Sequence, residues 1–150
     1  MTDWQLTIDC NDPSRLVHFW AQVLGYEIQP PPEGFSTWNE WYLSVGVPED
    51  ELDLTGDGSD RICDPTGRGP KIWFQPVPEK KAVKNRIHLD VYVGGGRTVP
   101  IAERRQRVDA RVVELLKAGA SVDHVADLAS DGDHYFAVMR DPEGNEFCVA

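Results

Sequence analysis

The sequence has few cysteines, few basic side chains and no long apolar run. Its three cysteines are an odd number at wide spacings without a CxxC motif, which excludes a disulfide framework and suits a reducing compartment. With 15 basic and 25 acidic side chains, the net charge is −10. That charge argues against general binding to the phosphate backbone of nucleic acid or to an anionic membrane surface. No apolar run approaches the about 20 residues that span a bilayer.

The N-terminus lacks the signs of a secretory signal. Residues 1–4 contain neither a basic region nor an apolar segment, so we predict a cytoplasmic protein. Hydrophobic residues make up 41% of the chain and charged residues 27%, which is typical of a globular protein. The length of 150 residues fits one compact domain or two small repeats that share a core.

The first half shows a strand followed by a well-marked helix. Apolar and polar residues alternate over 4–10, which predicts a strand. Asp12 and Pro13 are typical of a helix start, and Gly25 is typical of a helix end after Leu24. Further predicted elements are strands over 26–29, 61–63 and 71–75, and a helical insert over 37–45 with Ser36 as its cap.

The second half repeats this order. Alternation predicts a strand over 86–93, in which Ile87 and Leu89 share the helix-facing side, and a helix follows from about Pro100 to Lys117. The remaining predicted elements are strands over 121–125, 135–140 and 145–149, with a polar loop over 127–133.

Two sequence echoes indicate a duplication. Leu6-Thr7-Ile8-Asp9 matches Ile87-His88-Leu89-Asp90, and Asp64-Pro65-Thr66-Gly67 matches Asp141-Pro142-Glu143-Gly144, in the same order within each half. We therefore predict one domain of two modules, about 1–78 and about 86–150, joined by a linker over about 79–85. Each half has few apolar residues, so the halves should need each other.

The strand positions that face away from the helices are unusually polar, either because an antiparallel sheet can leave one face solvated or because a site between two sheets requires such residues. They are Gln5, Thr7, Asp9, His88, Asp90, Glu146 and Cys148. Trp38 and Trp41 lie at helical spacing in the insert, where they either cover a core edge or form a lid over a ligand. The predicted ligand pocket comprises Gln5, Thr7, Asp9, Trp38, Trp41, Trp73, Phe74, Gln75, His88, Asp90, Glu146 and Cys148.

The segments DCNDPSRLVHFWAQVLGYEI, KNRIHLDV and DPEGNEFCV resemble the vicinal oxygen chelate superfamily, and most closely its glyoxalase-like domain proteins. The resemblance covers essentially the whole chain. It implies an α+β fold of two tandem βαβββ modules, forming a curved, cleft-containing mixed sheet with helices on the convex side. Glyoxalase I, extradiol dioxygenases, fosfomycin-resistance transferases and bleomycin-binding proteins belong to this superfamily.

The resemblance also implies positions for a divalent metal. The first-strand ligand positions fall on Gln5 and His88, whereas the usual last-strand glutamate position falls on Cys148, with Glu146 two residues earlier. A site of Gln5, His88 and Glu146 is therefore a hypothesis. It is weakened by the missing carboxylate, since a catalytic metal needs about three protein ligands.

Two other pairs of side chains each have two interpretations. Cys148 is either a nucleophile paired with His88 or a buried, inert thiol. Asp9 and Asp90 either form a carboxylate pair with a general base or bind backbone amides and a nearby arginine such as Arg86.

Three functions remain open at this stage. The first is a small-molecule-binding enzyme with lyase, isomerase or dioxygenase chemistry. The second is a non-catalytic binder that sequesters an antibiotic or aromatic compound, and the third is an interaction module with an empty cleft. The expected partner is a small-molecule ligand, and a homodimer is also compatible with the superfamily.

Overall fold

The computed structural model describes residues 2–128 and 134–150, which form two compact units. The first unit extends to Lys80, and the second covers Lys81–Ala150. Each unit contains a four-stranded mixed sheet.

The first unit combines its sheet with one long helix and a short helical insert. Its strands are β1 (Gln5–Cys10), β2 (Glu27–Ile28), β3 (Arg61–Cys63) and β4 (Lys71–Pro76), and its helices are α1 (Pro13–Leu24) and α2 (Trp38–Ser44). The strand order is β1-β4-β3-β2. β1 pairs with β4 in parallel, and the other pairs are antiparallel.

Helix α1 begins and ends where the sequence predicts. The Asp12 carboxylate accepts the Arg15 backbone N–H, and Gly25 ends the helix in the left-handed conformation with φ of 68°. The buried side of α1 contacts β3 and β4, where Ile62 and Ile72 are buried. The core of the first unit therefore lies between α1 and one face of its sheet.

The second unit has the same topology without an insert. Its elements are β5 (Asp90–Val91), α3 (Ile101–Lys117), β6 (Ser121–Leu128), β7 (His134–Arg140) and β8 (Glu146–Val149). The strand order is β5-β8-β7-β6, with β5 parallel to β8 and the other pairs antiparallel. Its core contains Val108 and Leu115 from α3, and Ala137, Met139, Phe147 and Val149 from β7 and β8.

Some predicted boundaries were wrong. The strand predicted over 86–93 is only Asp90–Val91, and the side chain of Ile87 is 78% exposed instead of facing the helix. The cap of α2 is Thr37, not Ser36, because Thr37 and Glu40 form a reciprocal capping box. In the predicted loop over 127–133, residues 127 and 128 belong to β6, and residues 129–133 lie outside the described residues.

The predicted α+β fold of two βαβββ modules is confirmed by the matching strand orders. The cleft between the modules and their exact boundaries stay predictions. No helix in the described part of the chain has the length and apolar character needed to cross a membrane.

Candidate functional site

The sheet of the second unit carries a cavity on the face opposite α3. In the strand register, Arg140 lies beside Glu146, and Cys148 lies between Val138 and Asp90, so these side chains share one face. The cavity has a volume of about 380 Å³, which falls within the range of small-molecule pockets. Its lining residues are Lys81, Ala82, Val83, Lys84, His88, Asp123, His124, Val138, Arg140, Glu146, Phe147 and Cys148.

Glu146 fixes one wall of this cavity. Its buried carboxylate accepts the Asn85 backbone N–H at 3.0 Å and pairs with Lys81 Nζ at 3.2 Å. The Asn85 bond and the Lys81 ammonium lower the pKa of Glu146 to about 2. Lys81 also donates to the Val83 carbonyl. Segment 81–85, part of the predicted linker, is thus attached to β8.

Arg140 joins two carboxylates on the cavity floor. Its guanidinium lies 2.7 Å from Asp123 Oδ1 and 3.4 Å from Glu146 Oε1. His124 Nδ1 lies 3.0 Å from the other Asp123 oxygen. The hydrogen bonds from His124 and Arg140 lower the pKa of Asp123. These contacts give the floor a charged network in which each carboxylate has a cationic partner.

His88, Asp90 and Cys148 form a second cluster at the edge of this cavity. Their donor atoms all lie within 4.8 Å of one another, and His88 Nε2 is 3.5 Å from Asp90 Oδ1. Burial raises the pKa of the Cys148 thiol, and the neighbouring Asp90 carboxylate raises it further. The thiol is therefore protonated at neutral pH, which is unfavourable for the nucleophilic alternative.

The donor set of this cluster fits a metal with nitrogen, oxygen and sulfur ligands. One imidazole, one carboxylate and one thiolate match an open zinc-type site with three protein ligands. Tetrahedral zinc places its ligand atoms about 3.5 Å apart. His88 Nε2 and Asp90 Oδ1 already have this spacing, and the other distances, which reach at most 4.8 Å, would have to shorten by up to about 1 Å. Among the described residues, Glu146 does not belong to this group, because its carboxylate binds Asn85, Lys81 and Arg140.

In the first unit, the predicted polar residues do share a face. Gln5, Thr7 and Asp9 pair in register with Lys71, Trp73 and Gln75. Phe74 occupies the opposite face and is 0% exposed, because the alternation of β4 turns it towards α1. The inclusion of Phe74 in the pocket is thus corrected: it is a core residue of the first unit.

Helix α2 and the segment before β3 cover part of this polar face. The Arg61 guanidinium lies 4.3 Å from the centre of the Trp38 ring and 5.6 Å from that of Trp73. Asp60 Oδ2 accepts hydrogen bonds from Tyr42 Oη at 2.5 Å and Trp73 Nε1 at 2.8 Å. Burial and the Asp60 bond raise the pKa of Tyr42 to about 12. We call Trp38, Tyr42, Asp60, Arg61 and Trp73 the aromatic-ion cluster.

Of the two alternatives for the insert, the structure favours the covering role for Trp38. This residue is 2% exposed, and its Nε1 donates to the Gln29 carbonyl at 2.8 Å. Trp41 packs edge-on against Trp38, with ring centres 5.5 Å apart, and is partly exposed. Trp38 is therefore a core residue of the first unit, as the covering alternative predicts.

Sequence reasoning missed most of the charged residues of the cavity. Lys81 and Lys84 lie in the predicted linker, and Asp123, His124 and Arg140 were not assigned to a site. The strand alternation of YFAVMR does place Val138 and Arg140 on one face. Only the register with β8 shows that this face carries Cys148 and Glu146.

The comparisons with known proteins agree with this fold. Residues 5–150 match the family described as Glyoxalase-like domain, and the chain belongs to that family. The predicted resemblance is thus confirmed. No curated protein matches the sequence significantly.

Solved structures with the same fold come from several bacteria. A glyoxalase/bleomycin resistance protein/dioxygenase family enzyme from Burkholderia phytofirmans PsJN is 19% identical, with a TM-score of 0.58 and coverage of 99% of this chain and 97% of that one. A superfamily member from Sphaerobacter thermophilus is 13% identical, with a TM-score of 0.54 and coverage of 99% and 95%. TioX from Micromonospora sp. ML1 is 14% identical, with a TM-score of 0.51 and coverage of 99% and 97%.

Proposed function

We propose that this protein binds a small organic molecule in the cavity of the second unit. The observation that carries the proposal is the cavity of about 380 Å³, which combines apolar side chains such as Val83 and Val138 with fixed polar groups. A pocket with an apolar wall and a few positioned polar groups is typical of ligand sites. The family includes small-molecule-binding enzymes and resistance proteins, which agrees with this role.

The charged network supports binding by holding the site in a defined shape. Arg140 bridges Asp123 and Glu146, and Glu146 attaches segment 81–85 to β8. A ligand that enters this site meets side chains that are already ordered. The entropic cost of binding is lower for such a site.

Binding to the cavity can be tested by NMR with a library of small aromatic and aliphatic fragments. We expect fragments to shift the backbone amide signals of residues 138, 140 and 148. Val138→Phe should fill the cavity and abolish the shifts, whereas Val125→Phe on β6 serves as the control because Val125 is 48% exposed. Equal shifts in both variants, or none in the wild-type protein, would contradict the proposal.

The cluster of His88, Asp90 and Cys148 favours a second candidate, a metal-dependent enzyme. A divalent metal bound there would supply a Lewis acid that polarises a substrate oxygen, as lyase, isomerase or dioxygenase chemistry would use. Asp90 would be a metal ligand together with His88. Its contact with His88 would also hold the imidazole in position.

Co²⁺ is a suitable probe of this candidate, because thiolate coordination gives a charge-transfer band. We expect the band to appear on addition of Co²⁺ to the wild-type protein and to disappear in Cys148→Ser, while Cys63→Ser retains it. A band that survives in Cys148→Ser, or no uptake at micromolar Co²⁺, would exclude this metal centre.

We propose the partners and the location that the composition and the family resemblance imply. The charge of −10 supports a protein that does not bind nucleic acid or anionic membranes. A cytoplasmic location and a homodimer are checked by cell fractionation and by light scattering coupled to gel filtration. A periplasmic or secreted protein would contradict the location, and the mass in solution decides between a monomer and a homodimer.

A further inference from the structure

We infer that the ligand of the cavity is an organic anion, such as a carboxylate, and that Lys84 binds its negative group. This inference rests on the proposed function, because it specifies the class of molecule that the cavity of the second unit accepts. Three observations support it. They are the ion pairs that the charged side chains of the cavity already form, the position of Lys84, and the distribution of charge along the chain.

The acidic side chains around the cavity already have cationic or protonatable partners. Glu146 pairs with Lys81 and Arg140, and Asp123 pairs with Arg140 and His124. At the edge of the cavity, Asp90 contacts His88. A cationic ligand would have to compete with one of these partners for a carboxylate, and at the buried Glu146 the loss of a partner costs several kcal/mol. The lining is therefore a poor site for a cation.

The basic side chains of the cavity differ in whether they already have a carboxylate partner. Lys81 and Arg140 are held by Glu146 and Asp123. Lys84 also lines the cavity, yet it forms no hydrogen bond or ion pair with any residue in 2–128 or 134–150. Its ammonium is close enough to Cys148 for its charge to act on that thiol. Lys84 is thus a cation available to a ligand.

The apolar side chains of the lining indicate that the ligand also contains an apolar part. Val83 precedes Lys84 in the cavity wall, and Val138 lies on the cavity floor beside Cys148. An aliphatic or aromatic body can contact these side chains while its anionic group reaches Lys84. The combination of an apolar body with one charged group suits the mixed lining.

The distribution of charge between the two halves favours the same answer. Residues 1–80 hold 5 of the 15 basic and 14 of the 25 acidic side chains, which leaves 10 basic and 11 acidic side chains in residues 81–150. The acidic excess of the protein therefore belongs almost entirely to the first half. An anion is repelled much less by the second half, where the cavity lies.

Matched acid and amide pairs test the inference directly. The probes are benzoate and benzamide, phenylacetate and phenylacetamide, and hexanoate and hexanamide, titrated by NMR at low ionic strength. We expect each acid to bind about two- to fivefold more tightly than its amide, as an accessible ion pair allows. Lys84→Gln should bring the affinity ratio of each acid to its amide close to one, and this ratio within each variant is the measured quantity. Lys84→Arg should retain the preference for the acid, and Lys117→Gln, at the end of α3, is the charge control.

The outcomes separate the inference from the proposed function. If acids and amides bind the cavity equally well, or if Lys84→Gln retains the preference for acids, the inference is wrong and the cavity remains a binding site. If none of the six probes shifts the amide signals of residues 138, 140 and 148, both the inference and the proposed function are overturned.

Discussion

The two units share one sheet topology and use the free face of the sheet in different ways. In the first unit, the aromatic-ion cluster covers part of the face opposite α1. In the second unit, the corresponding face carries the cavity. The two units differ in the length of the connection after their second strand. In the first unit, residues 29–60 form this connection and contribute α2 and Asp60. In the second unit, residues 129–133 alone separate β6 from β7. A duplicated topology therefore does not duplicate the site.

The largest expected effect concerns the ion pair that anchors this cover. Asp60→Ala leaves Arg61 without its carboxylate partner and removes the acceptor of Tyr42 and Trp73. We expect the free energy of unfolding of the first unit to fall by about 3 kcal/mol. All five tryptophans lie in residues 1–80, so tryptophan fluorescence during urea unfolding reports this unit. Asp50→Ala, in the exposed 3₁₀ turn, is the control. Equal midpoints for both variants would show that the cluster does not anchor the cover.

The corresponding anchor in the second unit is Glu146. Glu146→Gln should destabilise this unit by about 1 to 3 kcal/mol and loosen segment 81–85. The measurement is amide hydrogen exchange in β7 and β8. Glu103→Gln, which affects an exposed pair with Arg107 on α3, should cost less than about 0.5 kcal/mol. Protection that is the same in both variants would contradict the role of Glu146 as an anchor.

The same residue predicts a response to acid. The pKa of Glu146 is about 2 in the folded protein and 4.5 in its ordinary state. A carboxyl group with a lowered folded pKa stabilises fully above its unfolded pKa, and this contribution is lost as the pH falls from 4.5 through 2. Protection factors in the second unit, which correct exchange for its intrinsic dependence on pH, should therefore fall over this interval in the wild-type protein. Glu146→Gln should show a smaller fall, and identical profiles would disprove the lowered pKa.

A smaller effect is expected in the loop that holds α2. Asn39 donates hydrogen bonds to the carbonyls of Asp53 and Gly56. A Cβ at Gly58, which has φ of 78°, would lie 2.4 Å from Asn39 Oδ1. We expect Gly58→Ala to cost about 2 kcal/mol by urea unfolding. Gly46→Ala should cost about 1 kcal/mol, because its φ is 93° but nothing lies within 4 Å. Equal losses would show that the contact with Asn39 adds nothing.

The smallest expected effect concerns the reactivity of the Cys148 thiol in the second unit. Burial and Asp90 raise the pKa of Cys148, so its thiolate fraction at pH 7 is low. In a Cys63→Ser background, alkylation of Cys148 by iodoacetamide should be slow and should accelerate a few-fold in Asp90→Asn. Rapid alkylation that does not change in Asp90→Asn would restore the nucleophilic alternative.

The sequence predicts best what depends on neighbouring residues. Asp12, Pro13 and Gly25 define α1 because a cap, a fixed φ and a left-handed stop act locally. The order of the strands along the chain was predictable as well, because the alternation that marks a strand is also a local pattern. The strand predicted over 86–93 was too long, since alternation does not show which residues find a partner strand. Among the described residues of this segment, the paired register with β8 covers Asp90 and Val91.

The site was harder to predict because it depends on contacts between distant residues. Lys81 and Asn85 were assigned to a linker, yet both bind Glu146, which lies more than sixty positions later in the chain. Phe74 and Trp38 are apolar residues beside polar ones, and composition alone does not tell a pocket wall from a core. His88, Asp90 and Cys148 were predicted as pocket residues, and the structure brings these three together.

We propose that the second unit, and not the covered face of the first, receives the ligand. Crystallographic fragment screening with the three acids tests this most directly. We expect electron density for an acid against Val138 and Cys148, with its carboxylate within hydrogen-bond distance of Lys84 Nζ. Density against Trp38 and Trp73 in the first unit, with none in the cavity of the second, would contradict it.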